Sequence, residues 1–254
     1  MRLAYSLDGS ESAPVLVLSG GLGTTTDMWD AQLPAFAPHF RVLRVDLPGH
    51  GRSAVPGSRI AVDDIARALV ELLDELGVGS AAFCGLSLGG MVGQWLGANA
   101  PDRIDRLVLA CTGASLGTRE SYEERAELVR RQGVEVVLDG ARERWFTPAF
   151  RDSAAARRIL DELRDMPAEG YAACCEAVGA FDFRADLPRI LPPTLVLFGE
   201  EDPVTSAALV EELETGIPGA RSAGIAGAAH LANVEQPEAF SAAVLSHLQE
   251  RAAA

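Results

Sequence analysis

The sequence predicts an α/β protein built on a mostly parallel, doubly wound sheet with a helical insertion. Short runs of Val, Leu and Ile recur, each followed by turn residues and a longer amphipathic stretch, as in successive βα units. This alternation stops between about residues 117 and 192, where only helical periodicity is found. The length of 254 residues and the apolar content of 48% suffice for one large core.

Six segments are predicted to be strands. In chain order they are Val15–Ser19, Arg41–Val45, Ala81–Cys84, Leu107–Ala110, Thr194–Phe198 and a last strand near Arg221–Ile225. Most are nearly continuous apolar runs rather than alternating ones, which is typical of strands covered by helices on both faces.

Two helices frame the predicted sheet. The segment Val62–Leu76 places its isoleucine and leucines on one face, and Gly77 follows it as a helix C-cap. A C-terminal helix is predicted over Ala239–Arg251, and the terminal Arg-Ala-Ala-Ala is expected to fray.

The insertion contains four segments with helical periodicity: SYEERAELVRRQG, VEVVLDGARERWF, DSAAARRILDELRDM and EGYAACCEAVGAF. We therefore predict a core formed by residues 1–116 and 193–254 and a four-helix lid formed by residues 117–192. Because ligands of open α/β sheets bind at the carboxyl ends of the strands, the lid is expected to face the active site.

The sequence contains no lysine, so all 22 of its basic side chains are arginines. They are outnumbered by 36 acidic side chains, which gives a net charge of −14. Chemistry that needs a lysine is therefore excluded, including Schiff-base catalysis, pyridoxal phosphate anchoring and the P-loop. An acidic chain without a basic run also binds nucleic acid poorly, so we expect no such partner.

No apolar stretch approaches the roughly 18 residues of a membrane span, and the first residues lack the layout of a secretion signal. We therefore expect a cytoplasmic protein without a membrane partner. The four cysteines show no CxxC spacing and are expected to be buried thiols.

The strongest chemical motif is Gly85-Leu86-Ser87-Leu88-Gly89, which follows a predicted strand and opens a predicted helix. This context matches the G-x-S-x-G nucleophile elbow, in which glycines leave room for a strained turn. A structural glycine turn is the alternative, but the strand–turn–helix order favours Ser87 as a nucleophile.

A serine hydroxyl needs a base, and the chain has four histidines. His39 is expected at the surface, His50 in a structural turn and His247 on the C-terminal helix. His230 remains, in a loop after the last predicted strand, as the order Ser…Asp…His requires.

The base in turn needs a carboxylate at a strand's carboxyl end. Asp202 follows the predicted strand Thr194–Phe198 and is the candidate, whereas Glu200 and Glu201 are expected to be solvated loop charges. Pro203 suits a rigid turn that holds Asp202.

The oxyanion hole is expected to combine the backbone N–H of Leu88 with one from the loop after the first predicted strand, Leu22 being preferred over Gly21. A glycine-rich loop after a strand can also bind phosphate. Neither GxGxxG nor a P-loop is present, however, which disfavours a nucleotide site.

Across essentially its whole length the chain resembles the α/β-hydrolase superfamily, and within it the 3-oxoadipate enol-lactonase family of aromatic breakdown. The similar stretches are Leu22–Phe36, His39–Asp46, Phe83–Gly97, Glu143–Arg151, Glu169–Val178, Asp182–Ile190 and Ala228–Phe240. In that family the positions that match Ser87, Asp202 and His230 form the catalytic triad. Two departures are Gly20-Gly21, where the family usually has Asn-Ser, and RVDLPGHG, where it has RYDTRGHG.

The resemblance implies a serine hydrolase that opens 3-oxoadipate enol-lactone or another small ester or lactone without a metal or organic cofactor. Gly21, Arg144 and Trp145 are candidate substrate contacts, although Arg144 on a solvated helix face and Trp145 packing the lid onto the core are alternatives. A general carboxylesterase, a cofactor-free C–C hydrolase and a non-catalytic binding protein remain open. The sequence does not indicate an oligomeric state.

Overall fold

The computed structural model describes residues 1–250, which form one seven-stranded sheet with helices around it. The strands are β1 (Tyr5–Asp8), β2 (Val15–Ser19), β3 (Arg41–Val45), β4 (Ala81–Leu86), β5 (Ile104–Ala110), β6 (Thr194–Gly199) and β7 (Arg221–Ile225). Their order is β1-β3-β2-β4-β5-β6-β7, so that β4 is central. The predicted α/β class with a mostly parallel sheet is confirmed.

The strand β1 was not predicted from the sequence. It is four residues long, pairs only with β3 and is the one antiparallel strand of the described sheet. None of its residues is fully buried, so it lacks the continuous apolar run that marks the central strands.

The predicted bounds of β2, β3 and β7 agree with the structure, whereas β4, β5 and β6 are longer than predicted. The extra residues in β4 are Gly85 and Leu86, which pair with Leu109 and Ala110 of β5. Pairing with a neighbouring strand therefore extends β4 into the glycine of the elbow, where composition alone indicated a turn.

The helices of the described chain are α1 (Leu33–Phe36), α2 (Val62–Glu75), α3 (Leu88–Asn99), α4 (Arg119–Gln132), α5 (Leu138–Trp145), α6 (Ala154–Arg164), α7 (Ala168–Ala180), α8 (Ala207–Gly216), α9 (Ala232–Glu235) and α10 (Pro237–Leu248). None of them is long and apolar enough to cross a membrane. The predicted fraying of residues 251–254 concerns a segment outside the described residues.

Four helices, α4 to α7, lie in the segment 117–192 at the four predicted places. The second of them starts later than predicted, because Val134–Val137 forms a 3-10 turn before α5. Three of those four residues are valines, whose β-branched side chains lower helix propensity. That the segment works as a lid separate from the core stays a prediction.

The core is continuous from the sheet into the insertion. Leu16, Leu18, Phe83 and Leu107 in the sheet are fully buried, as are many residues of the insertion. The four cysteines are buried free thiols.

A close backbone contact joins the insertion to the sheet's loops. A Cβ on Gly170 in α7 would lie 2.4 Å from the carbonyl oxygen of Gly49, and one on Gly49 would lie 2.3 Å from the Cα of Gly170. Gly49 also has a φ of +71°. Only glycine at both positions allows α7 to approach the turn after β3 this closely.

We therefore expect Gly170→Ala to separate α7 from this turn and to lower the free energy of unfolding by about 1–3 kcal/mol, the usual cost of overpacking. Urea denaturation measures the change. Gly57→Ala is the control, because a Cβ on the exposed Gly57 meets no atom within 4 Å. Equal stabilities of the two variants would contradict the contact.

Candidate active site

Ser87 lies at the carboxyl end of the central strand β4, directly before α3, with φ 56° and ψ −113°. A Cβ on Gly85 would lie 2.1 Å from the carbonyl oxygen of Gly89, and one on Gly89 would lie 2.2 Å from that of Ser19. The Ser87 amide donates to the Ala110 carbonyl at 2.8 Å. The chain therefore forms a tight elbow that only this pattern of glycines permits, and Ser87 projects from it.

His230 and Asp202 are brought together from loops that follow neighbouring strands. His230 Nδ1 lies 2.8 Å from Asp202 Oδ2, and the Val204 amide donates to Asp202 Oδ1 at 2.7 Å. Burial raises the pKa of the Asp202 carboxyl, but attraction to His230 and these hydrogen bonds outweigh it and hold the pKa below its usual value. An ionised Asp202 can thus fix the imidazole with its proton on Nδ1.

A cavity of about 240 Å³ opens between the elbow and the insertion. Its walls are formed by Gly21, Leu22, Thr24, Ser87, Leu116, Gly117, Ser121, Tyr122, Arg125, Ala141, Arg144, Trp145, Tyr171, Val178, Pro203, Val204, His230 and Leu231. Ser87 and His230 therefore face one space, with Asp202 behind the histidine. No hydrogen bond joins Ser87 to His230 within residues 1–250, and such contacts commonly tighten only with substrate bound.

Of the two predicted oxyanion donors, Leu22 borders this space and Leu88 directly follows Ser87. Leu22 lines the cavity, and a Cβ on Gly21 would lie 3.3 Å from the Ser87 Cβ. Leu88 is the first residue of α3, so its amide has no acceptor within the helix. That these two amides act as oxyanion donors stays a prediction.

His50 supports the loop that carries Leu22. Its Nε2 accepts a hydrogen bond from the Gly23 amide at 2.9 Å, while Nδ1 donates to the Pro48 carbonyl at 2.9 Å. Burial lowers the pKa of His50 to about 4, although Pro48 and Asp46 act in the opposite direction, so the ring is neutral near pH 7. The predicted structural role agrees with this, but its link to Gly23 had no signal in the sequence.

The remaining two histidines lie away from the cavity. His39 is exposed, and His247 is buried with Nε2 3.1 Å from the Pro193 carbonyl oxygen. Glu200 and Glu201 are exposed, as expected of solvated loop charges. Excluding the other three histidines on sequence grounds therefore selected the histidine that lines the cavity.

Arg144 and Trp145, the two candidates from the insertion, both line the cavity, and Trp145 is buried as well. Sequence reasoning missed Arg125, Tyr122 and Tyr171 in the same wall. The spacing of Tyr122 and Arg125 on α4 shows that they share a helix face, but the sequence does not show what that face meets.

A buried carboxylate ties the insertion to the loop of His230. Glu235 accepts hydrogen bonds from the Ala229 amide at 3.0 Å and from the amide and hydroxyl of Thr147. The Leu231 amide also donates to the Trp145 carbonyl at 3.0 Å. The residue after His230 is thus bound to the last residue of α5, and the residue before it is bound through Glu235 to Thr147.

The sequence matches the alpha/beta hydrolase family over residues 15–243. The chain belongs to this family. Ser87 lies in the turn between the central strand β4 and α3, and Asp202 and His230 lie in the loops after β6 and β7. The predicted α/β-hydrolase fold is thereby confirmed, and the protein is a hydrolase.

This α/β hydrolase is 38% identical to 3-oxoadipate enol-lactonase 2 of Acinetobacter baylyi, over 96% of the chain and 92% of the relative. The enol-lactonase structure from Burkholderia xenovorans LB400 matches with a TM-score of 0.95 and 38% identity, covering 98% of this chain and 96% of the other. A hydrolase structure from Pseudomonas aeruginosa PA01 matches with a TM-score of 0.94 and 46% identity, covering 98% and 94%. The expected similarity to enol-lactonases is confirmed.

We expect Glu235→Gln to weaken the attachment of the His230 loop, because an amide nitrogen would replace an oxygen that now faces donors. The loss of charge-assisted hydrogen bonds predicts about 1.5–3 kcal/mol less stability. Thermal and urea unfolding measure it, with Glu238→Gln on the exposed start of α10 as the control. If both variants were as stable as the wild type, Glu235 would not tie the two segments together.

His50 should make stability depend on pH. Because its folded pKa is lowered from 6.5 to about 4, the unfolded chain binds a proton in this window that the folded protein does not. Stability therefore falls as the pH drops from 6.5 towards 4, by about 3 kcal/mol from this group. Urea titrations across this pH window give the free energy of unfolding at each pH. This free energy should change less steeply with pH in His50→Gln than in the wild type, and parallel curves for the two proteins would contradict the assignment.

Proposed function

We propose that this α/β hydrolase uses Ser87, His230 and Asp202 to hydrolyse a small lactone or ester, most specifically 3-oxoadipate enol-lactone to 3-oxoadipate in the breakdown of aromatic compounds. The observation that carries the proposal is the placement of Ser87 and His230 in one cavity, with Asp202 2.8 Å from the far nitrogen of the imidazole. Similarity to enol-lactonases supports the choice of substrate.

The first half of the reaction is acylation. His230 takes the Ser87 proton as the hydroxyl attacks the ring carbonyl, and Asp202 stabilises the imidazolium that forms. The amides of Leu22 and Leu88 donate to the developing oxyanion. Donors of this kind contribute roughly 3–4 kcal/mol each to acyl transfer.

Collapse of the tetrahedral intermediate completes the acylation: the carbonyl–oxygen bond of the lactone ring breaks and expels an enolate, which takes the proton from His230 and becomes a ketone. The stability of this leaving group makes acylation easy. In the second half, His230 deprotonates a water molecule that attacks the acyl-serine. As the bond between Ser87 and the acyl carbon breaks, His230 returns the proton to Ser87 Oγ and the acid is released.

The proposed substrate contacts are Gly21, Arg144 and Trp145. Gly21 lies against Ser87, whereas Arg144 and Trp145 come from α5 in the opposite wall. In this arrangement the segment 117–192 acts as the lid that closes the cavity over the substrate.

One observation favours a second candidate, a carboxylesterase with a different acyl substrate. The loop before Ser87 has Gly20-Gly21, and a Cβ on Gly20 would lie 2.6 Å from Thr24 Oγ1 and 2.7 Å from Met28 Sδ. The side-chain contacts that Asn-Ser would supply there are therefore missing. A cofactor-free C–C hydrolase could use the same triad, whereas a pure binding protein has no need of it.

We expect purified protein to consume enol-lactone, followed by its absorbance, much faster than 4-nitrophenyl acetate. Ser87→Ala should reduce turnover by about 10⁴-fold or more while the protein stays folded. Ser206→Ala, at an exposed serine before α8, is the control. Unchanged turnover in Ser87→Ala would overturn the assignment of Ser87 as the nucleophile. If enol-lactone were turned over no faster than 4-nitrophenyl acetate, the enol-lactonase proposal would fail and the carboxylesterase would be the remaining candidate.

A further inference from the structure

The charged side chains that line the cavity are two arginines. Arg125 and Arg144 lie in the wall contributed by the insertion, and no aspartate or glutamate is among the lining residues. The whole protein nevertheless carries a net charge of −14. The cavity is therefore a local basic site in an acidic molecule, where an anion meets attraction only at short range.

Within residues 1–250 neither arginine has an ion-pair partner, because no carboxylate lies within 4.0 Å of the Arg125 or Arg144 guanidinium. Arg130, one turn further along α4, shows the contrast, because it lies 2.8 Å from Glu169 and 2.5 Å from Glu176. Carboxylates are thus available around this helix, but the side facing the cavity has none.

Two buried tyrosines complete the wall without cancelling its charge. The Arg125 guanidinium carbon lies 4.8 Å from the centroid of the Tyr122 ring, and Tyr171 is also close to this group. Burial raises the pKa of Tyr122, and raises that of Tyr171 to about 12, so both phenols are neutral and can donate hydrogen bonds.

The two arginines also repel each other. Burial, and then the charge of Arg125, lower the pKa of the Arg144 guanidinium. Two half-buried cations side by side without a carboxylate are unfavourable in the empty protein. A bound anion would relieve this repulsion, and guanidinium forks match carboxylates in shape.

We propose that Arg125 and Arg144, together with Tyr122 and Tyr171, bind a free carboxylate on the acyl substrate and make the enzyme selective for esters and lactones that carry one. The carboxylate lies against the insertion while the reacting carbonyl lies at Ser87. The location of that carbonyl and the hydrolysis of the ester rest on the proposed function, whereas binding of the carboxylate does not. A cavity of about 240 Å³ has room for a short acyl chain between the two groups.

Two esters of matched length test this selectivity: 4-nitrophenyl hydrogen adipate, which has a free carboxylate, and 4-nitrophenyl methyl adipate, which has none. The wild type should prefer the first. We expect Arg125→Gln and Arg144→Gln each to reduce kcat/KM for the anionic ester by about 10- to 100-fold more than kcat/KM for the neutral ester, mainly through KM.

Two further variants control for charge and for structure. Arg125→Lys keeps the charge and should recover part of the preference for the anionic ester. Arg131→Gln removes an exposed cation from the same helix, where it pairs with Glu127 outside the cavity, and should leave both esters unchanged.

Equal losses on both esters would show that the arginines only maintain the fold, and no preference in the wild type would refute the subsite. Binding of adipate to Ser87→Ala, measured by calorimetry, separates this inference from the proposed hydrolysis. If neither ester is hydrolysed but adipate binds and Arg125→Gln abolishes binding, the hydrolytic proposal fails and the carboxylate subsite stands. If adipate does not bind, the subsite is wrong whatever the turnover.

Discussion

The close packing of backbone around Ser87 is the constraint on which the rest of the site depends. Gly85 and Gly89 contact each other and the end of β2 with no space for a Cβ, and Ser87 between them has a positive φ. A non-glycine residue in this conformation is strained and persists only because the surrounding structure holds it. The central strand, the helix after it and the neighbouring loop thus hold the serine beside the first turn of α3 and the loop after β2.

The insertion is fixed to this centre by contacts that are short and buried. Gly170 packs directly on Gly49, Glu235 binds Thr147 and Ala229, and Leu231 donates to Trp145. The contacts of Glu235 and Leu231 join the insertion to the loop that carries His230. A shift of the insertion would therefore move the histidine as well as the walls of the cavity.

The arginines of this chain lie in two kinds of environment that the composition does not distinguish. Most arginines of this acidic chain have carboxylate partners at the surface, as Arg130 does with Glu169 and Glu176, and such exposed pairs contribute little to stability. Arg125 and Arg144 instead face the cavity without a carboxylate. An unpaired cation in a half-buried wall is costly, which is why it indicates a ligand rather than a structural role.

The sequence by itself determined the α/β class, six of the strands, the places of the four helices of the insertion and the three residues proposed as the triad. These could be found because apolar runs, helical periodicity and the glycine pattern around Ser87 are local properties of the chain. The tertiary structure alone decided that β1 joins the edge of the sheet, that His50 holds the Gly23 amide and that Arg125 lies beside Arg144. Each of these depends on contacts between residues far apart in sequence, and helix periodicity shows which residues share a face but not what that face contacts.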